Sequence, residues 1–91
     1  MQENPYILVN VTEEQVKTEV RSARSTMQVC QCEKCFFDTC AVVLNQMQCR
    51  YVTTEKGELL AKIATMNLES KHEMTYRVAQ AIKYVHENPR H

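Results

Sequence analysis

The sequence predicts a small all-α domain of about four helices, with a cysteine-ligated zinc loop between the first two helices. Glycine occurs once in 91 residues, and the two prolines, Pro5 and Pro89, lie near the chain ends. The sequence therefore lacks the glycine-containing turns that join β-hairpins. Apolar residues recur at helical spacing in four segments. Four of the five cysteines fall within one run of eleven residues, which marks the loop.

The first helix is predicted to begin near Thr12, because Thr12 and Gln15 have the spacing of a capping box. An apolar stripe follows at helical spacing, formed by Val16, Val20, Ala23 and Met27. The charged side chains are expected on the other faces of this helix: Glu13, Glu14, Lys17, Glu19, Arg21 and Arg24. The pattern indicates a helix that buries one narrow face.

The second helix is predicted to begin at about Lys34, directly after the first cysteines. Its apolar residues cover most of the circumference: Phe36, Phe37, Ala41, Val42, Val43, Leu44 and Met47. A helix with this pattern is buried on several sides. We therefore expect it at the centre of the domain.

The second half of the chain is predicted to form two more helices. Residues 50–54 include three β-branched side chains and are predicted to be extended, and residues 55–57 are predicted to form a turn. A third, shorter helix carries Leu59, Leu60, Ile63, Ala64 and Met66. Ser70 and Glu73 have capping-box spacing for a last helix, which Asn88 and Pro89 end. The apolar residues of this helix share one face: Met74, Val78, Ala81, Ile82 and Val85. Nothing divides the chain, so residues 1–91 are one domain with tails at 1–7 and 88–91.

Charge and hydropathy exclude several classes of protein. Eleven basic and eleven acidic residues balance to zero, whereas a domain that binds nucleic-acid polymers is normally strongly basic. The N-terminus has no basic segment followed by an apolar run, and no stretch approaches the ~18 apolar residues of a membrane span. We expect a cytoplasmic protein without membrane insertion. Thiols stay reduced there, so the cysteines are expected to bind metal rather than form disulfides.

The cysteine run predicts one structural Zn²⁺ per chain. Zn²⁺ accepts four thiolates in a tetrahedron, and Cys30, Cys32 and Cys35 supply three of them at short spacing. The fourth is a choice between Cys40 and Cys49. Cys40 stands just over one helical turn beyond Cys35, whereas Cys49 would lie about 20 Å along the helix, so geometry favours Cys40.

No enzymatic activity is predicted. Four thiolates would close the metal site, whereas catalytic zinc keeps a position open for water. The sequence has no Gly-x-Ser-x-Gly, Walker-type or His-Glu-x-x-His motif. His72, His86 and His91 have no partner at metal-binding or catalytic-triad spacing, and each is interpreted as a solvated surface residue.

Five neighbouring residues have the chemistry of a phosphate-binding group: Arg50, Tyr51, Thr53, Thr54 and Lys56. A guanidinium can grip a phosphate with two hydrogen bonds, the hydroxyls and the ammonium add donors, and a tyrosine ring can stack on a base. Asp38 has two interpretations. A carboxylate in the first turn of a helix suits the helix dipole, and it could instead contact a ligand or a second subunit.

The chain resembles the late competence development protein ComFB family of bacteria, from about Leu8 to Val85. The opening residues 8–16 are similar to the family's, and the central run carries the most specific part of the likeness: Cys30, Cys32, Cys35, Asp38, Ala41, Leu44 and Asn45. Residues 50–52, Gly57 and residues 81–85 follow in the family's order. Many members have two prolines where this chain has Gln48 and Cys49, which further lowers the claim of Cys49 to be a ligand.

The resemblance implies a helical homodimer with one cysteine-bound structural zinc per subunit and a link to bacterial DNA-uptake competence. Some relatives are described as cyclic-dinucleotide receptors. A ligand of the cyclic di-GMP type would suit a two-fold dimer, with Asp38, Arg50, Tyr51, Thr53, Thr54 and Lys56 as the candidate contacts. Two alternatives stay open: an adaptor for unknown protein partners in competence or motility, and a redox- or metal-responsive thiol protein.

Overall fold

The computed structural model of the chain describes residues 4–90, and four helices account for most of them. In chain order the elements are β1 (Val9–Asn10), α1 (Val11–Arg24), α2 (Glu33–Leu44), β2 (Tyr51–Val52), α3 (Glu55–Ala64) and α4 (Leu68–Glu87). The prediction of a mostly helical domain with four helices is confirmed. Parts of the two predicted tails, residues 1–3 and 91, lie outside the described residues.

Helices α1, α2 and α4 enclose the hydrophobic core. The central cluster consists of Val16, Val20, Phe36, Cys40, Val43, Val78, Ala81 and Ile82. Cys40 was predicted as a metal ligand and not as a core residue, and Met27, predicted on the apolar stripe of α1, lies beyond the end of that helix and is 38% exposed. α2 is less enclosed than its sequence predicts, because Phe37 is 53% exposed and Ala41 is also exposed. α3 buries none of its residues and lies at the edge of this three-helix core.

A two-stranded antiparallel sheet joins the start of α1 to the segment before α3. Val9 pairs with Val52 and Asn10 with Tyr51. The backbone N–H of Val11 donates to the carbonyl oxygen of Arg50 at 2.8 Å, which continues the ladder into the helix. The extended segment at residues 50–54 was predicted from its β-branched residues, whereas its partner strand was not predicted.

Three helices begin at residues that differ from the predicted ones. The side chain of Asn10, rather than that of Thr12, caps α1 by accepting the backbone N–H of Thr12. Asn67, rather than Ser70, caps α4 in the same way. The predicted turn at residues 55–57 is wrong: these residues form the first turn of α3, which Thr54 caps.

In residues 4–90, none of the helices combines the length and the apolar composition needed to cross a bilayer.

Candidate metal centre

Three thiols converge where the loop after α1 enters α2. Cys30 and Cys32 lie in this loop, and Cys35 lies in the first turn of α2. Cys32 is the N-cap residue, and its Sγ accepts the backbone N–H of Cys35 at 3.4 Å. The Sγ atoms of the three cysteines all lie within 4.8 Å of one another. The helix cap thus places two of the thiols side by side, and the loop brings in the third.

The spacing of the three sulfur atoms fits a metal ion. Zn–S bonds of about 2.3 Å place tetrahedral ligands about 3.8 Å apart, so only a small contraction is needed. Thiolates select soft or borderline ions such as Zn²⁺, Cu⁺ or the iron of iron–sulfur clusters. Cys30, Cys32 and Cys35 could therefore hold a metal ion, as the sequence predicts for these three residues.

The thiol group of Cys35 is protonated without a bound cation. Burial is the largest cause that raises the pKa of Cys35 to about 12, and hydrogen bonds with Cys32 and Cys30 and the negative charges of those two thiolates contribute to the same rise. Three neighbouring thiolates repel one another in this site. A divalent cation removes that repulsion, so metal binding and loss of the thiol protons are coupled.

Arg24 supplies a buried positive charge beside the three thiols. Its side chain is 6% exposed, and its Nη2 donates to the carbonyl oxygens of Cys30 at 2.9 Å and Cys32 at 3.1 Å. Its guanidinium also lies 5.5 Å from the ring centroid of Phe36. The prediction that Arg24 lies on the polar face of α1 is wrong, because the loop folds back over the end of that helix.

Gln31 closes the same loop from the other side. Its Nε2 donates to the carbonyl oxygens of Arg24 at 2.9 Å and Val29 at 3.1 Å. The ends of α1 and of the loop are thus tied by two side chains, Arg24 and Gln31. Helical spacing places Arg24 on the buried row of α1, four residues after Val20, but the hydrogen bonds of both side chains depend on how the loop folds back.

The structure does not bring the predicted fourth ligand into this group. Cys40 is buried in the hydrophobic core, and burial raises its pKa. It lies five residues beyond Cys35 on α2, which turns its side chain by about 140° at 3.6 residues per turn. Cys49 is exposed in the segment between α2 and β2. Ligation by Cys40 or by Cys49 stays a prediction.

The six predicted ligand-binding residues do not form one cluster. Asp38 pairs with Lys34 on the exposed side of α2 at 2.8 Å. Thr54 caps α3 by accepting the backbone N–H of Gly57 at 2.9 Å. Tyr51, Thr53 and Lys56 are exposed. Thr54 therefore has a structural role that its place in the sequence did not reveal.

Arg50 alone of the six lines a broad groove of about 950 Å³, which runs between α1, the segment after α2 and the start of α4. The groove is also lined by four further basic residues and three acidic ones: Lys17, Lys62, Lys71, Arg77, Glu14, Glu19 and Glu73. The basic residues before and after Arg50 were not singled out from the sequence, because they lie on three separate elements.

The comparisons with known proteins agree with this architecture. The family model for the late competence development protein ComFB matches residues 9–89. The solved structure of the late competence protein ComFB from Bacillus subtilis is similar, with a TM-score of 0.78 and 26% sequence identity. The similarity covers 92% of this chain and 96% of that chain. No curated protein sequence matches. This chain belongs to the late competence development protein ComFB family.

Proposed function

We propose that this competence-associated protein is a non-enzymatic binding module that a structural Zn²⁺ stabilises. The convergence of Cys30, Cys32 and Cys35 is the observation that supports it. Sites rich in thiolates are typical of structural zinc, whereas catalytic zinc usually has histidine or carboxylate ligands and an open position. The loop that the metal would hold connects two of the three core helices.

The small core gives the metal an energetic role. Only three helices contribute buried residues to the central cluster, and α3 contributes none. Domains of this length commonly need a metal, disulfides or a partner subunit. Zinc binding to small thiolate sites is worth on the order of 10–16 kcal/mol at neutral pH, which is comparable to the whole folding free energy of a small domain.

Metal content and stability test the structural role together. Native mass spectrometry of the purified protein should show about one zinc per chain, as one thiolate site binds one ion. Cys35→Ser should lose the zinc and unfold or aggregate, whereas Cys49→Ser, at an exposed position outside the group of three, should keep both metal and fold. A native protein that is metal-free and fully folded would overturn the proposal.

We also propose that the module binds a cyclic dinucleotide, as the family resemblance implies. The groove beside Arg50 supports this ligand class. Its volume of about 950 Å³ lies within the usual range for ligand sites, and its five basic residues exceed its three acidic ones. Three of the five basic residues pair with glutamates. Arg50 and Lys71 pair with no carboxylate of residues 4–90, so these two basic side chains are available for the two phosphates of such a ligand. Tyr51, next to Arg50, is 62% exposed, and its ring is accessible for stacking on a base.

Calorimetry with cyclic di-GMP and cyclic di-AMP tests whether the protein binds a cyclic dinucleotide. Ligand at ~100 μM should stabilise the protein by about 2.7 kcal/mol if the Kd is near 1 μM. Replacing both Arg50 and Lys71 with alanine should abolish binding and leave the fold intact, while Lys83→Ala, on the exposed side of α4, should have no effect. Absence of heat and of a thermal shift with either ligand would favour the adaptor alternative.

We also propose that two copies of this chain form a homodimer. α3 carries a row of exposed apolar side chains, which continues into the start of α4 and which we call the α3 patch: Leu59, Leu60, Ile63, Met66 and Leu68. Each is more than half exposed in the single chain. A second copy could cover this surface through a two-fold interface, the commonest arrangement among homo-oligomers.

A further inference from the structure

We infer that His86 supplies the fourth ligand to the metal held by Cys30, Cys32 and Cys35. The inference rests on the metal site of the proposed function, and it replaces a four-cysteine site with a Cys₃His site. It also assigns a role to the last turn of α4, whose buried residues otherwise contribute to the core.

His86 lines the same cavity as two of the three thiols. This cavity, of about 10 Å³, is lined by Cys30 and Cys35 from the metal loop and by Ile82, Val85 and His86 from α4. Arg24, Val29 and Thr39 complete the lining. His86 is the one side chain in that lining, apart from the two cysteines, that commonly binds zinc.

The imidazole can move to the metal position. Among the described residues, the ligand atoms that lie within 4.8 Å of one another are the three sulfurs, so ligation requires the imidazole to approach them. His86 is exposed, and no hydrogen bond or ion pair to another residue of 4–90 holds its ring. Exposed side chains change rotamer on the picosecond to nanosecond timescale, so the ring is free to turn towards the cavity that it lines.

Cys40 and Cys49 are less well placed than His86 to be the fourth ligand. Cys40 packs in the core among residues such as Val16 and Val43, and ligation through it would require α2 to rotate. Cys49 lies beyond the far end of α2 from Cys35, and it lines neither the cavity nor the groove. Of Cys40, Cys49 and His86, only His86 lines the cavity that Cys30 and Cys35 also line.

The charge of the site also fits one histidine. Zn²⁺ with three thiolates and a neutral imidazole carries one net negative charge, whereas four thiolates leave two. Arg24 is buried beside the loop, and no carboxylate within residues 4–90 pairs with it. Buried charges are normally paired. A Cys₃His site would balance the guanidinium charge one to one.

X-ray absorption of the zinc-loaded full chain tests the ligand set directly. We expect three sulfur ligands and one imidazole nitrogen, with the outer-shell scattering that an imidazole ring produces. His86→Cys should raise the sulfur count to four, and in the Co²⁺-loaded protein it should increase the thiolate-to-metal charge-transfer absorption. Cys40→Ala and Cys49→Ser should leave the count of three sulfurs unchanged.

Zinc affinity, measured by competition with a chelator, gives a second readout. His86→Ala should weaken binding at least about tenfold, the smallest loss typical even of outer-shell substitutions. His72→Ala, at an exposed position on the same helix, should not change the affinity. Four sulfur ligands on the zinc of the native protein, or an unchanged zinc affinity of the His86→Ala variant, would overturn this inference alone. A native protein that binds no metal would overturn the proposed function as well.

Discussion

Arg24 and the three thiols show how a few residues join a helix end to a loop that has no regular structure. The guanidinium of Arg24 donates to the carbonyl oxygens of Cys30 and Cys32 and lies 5.5 Å from the centroid of the Phe36 ring. Buried carbonyl groups need such partners. The hydrogen bonds therefore fix the backbone of the loop, while a bound metal would fix its side chains.

Removing the guanidinium should destabilise the zinc-loaded protein. Arg24→Met keeps the apolar length of the side chain but leaves the carbonyl oxygens of Cys30 and Cys32 without their donor. Hydrogen bonds from charged groups contribute ~1.5–3 kcal/mol each, so loss of these two should lower the free energy of unfolding by about 3–6 kcal/mol in urea titrations.

Arg21→Met is the matched control for this experiment. The Arg21 guanidinium lies 4.2 Å from the centroid of the Phe36 ring on the exposed side of α1. Its loss should cost about 1 kcal/mol or less. Equal losses of unfolding free energy in Arg24→Met and Arg21→Met would contradict a special role for Arg24.

The protonation of the thiols should make metal affinity strongly dependent on pH. The pKa of Cys35 is raised to about 12 by burial, so in the folded, metal-free protein the protonated thiol is favoured. The stability from this thiol is present below its ordinary pKa of 9.0 and is lost as the pH rises towards 12. Zinc must displace these protons, so its affinity should rise with pH.

Chelator competition between pH 7 and pH 8 measures this dependence. Displacement of one proton from each of three thiols predicts an affinity increase of about a thousandfold per pH unit and release of about three protons per zinc. Cys49→Ser should give the same slope. A slope that corresponds to four protons would instead indicate that a fourth thiolate binds the metal.

At the scale of elements, the sequence predicts the apolar faces better than the helix ends. The core positions of α1, α2 and α4 follow from helical periodicity, because a helix must bury its apolar stripe. The caps differ because they depend on distant contacts. Thr12 does not cap α1 with its hydroxyl, which instead donates to the carbonyl oxygen of Gln48 at 3.0 Å.

Asn10 explains why the start of α1 is hard to predict from local sequence. Its Oδ1 accepts the backbone N–H of Thr12 and also that of Arg50, forty residues along the chain, at 2.8 Å. One side chain thus caps a helix and ends a two-residue strand. Strands this short have no periodicity to detect, so the small sheet depends on pairing that only the folded chain defines.

Thr54 should behave as a cap and not as a ligand contact. Thr54→Ala removes the side-chain oxygen that accepts the backbone N–H of Gly57 at the start of α3. We expect a loss of about 1 kcal/mol in the free energy of unfolding, with zinc content unchanged. Thr53→Ala, at the exposed neighbouring position, should have little effect. If Thr54→Ala abolished ligand binding at full stability, the notion of a purely structural role would be wrong.

At the scale of the whole molecule, the single chain is less compact than its length allows. Its radius of gyration is 14.9 Å, against about 12 Å for a compact domain of this length. The extents of 48 × 33 × 21 Å describe an elongated shape. α3 has no buried residue and lies outside the core of α1, α2 and α4. The same feature that makes the core small leaves an apolar surface available for a second copy.

Ile63→Asp tests whether the α3 patch is the dimer interface. Ile63 is 54% exposed in the single chain, so the substitution should not unfold it. In a two-fold dimer both copies change, and each loses about 1.5–3 kcal/mol of apolar burial. The dimer dissociation constant in sedimentation experiments should therefore rise at least about 100-fold. Ala79→Asp, which adds the same charge at an exposed position on α4, should leave the dimer intact. A native protein that sediments as a monomer, or an unchanged dimer with Ile63→Asp, would remove the α3 patch from the assembly.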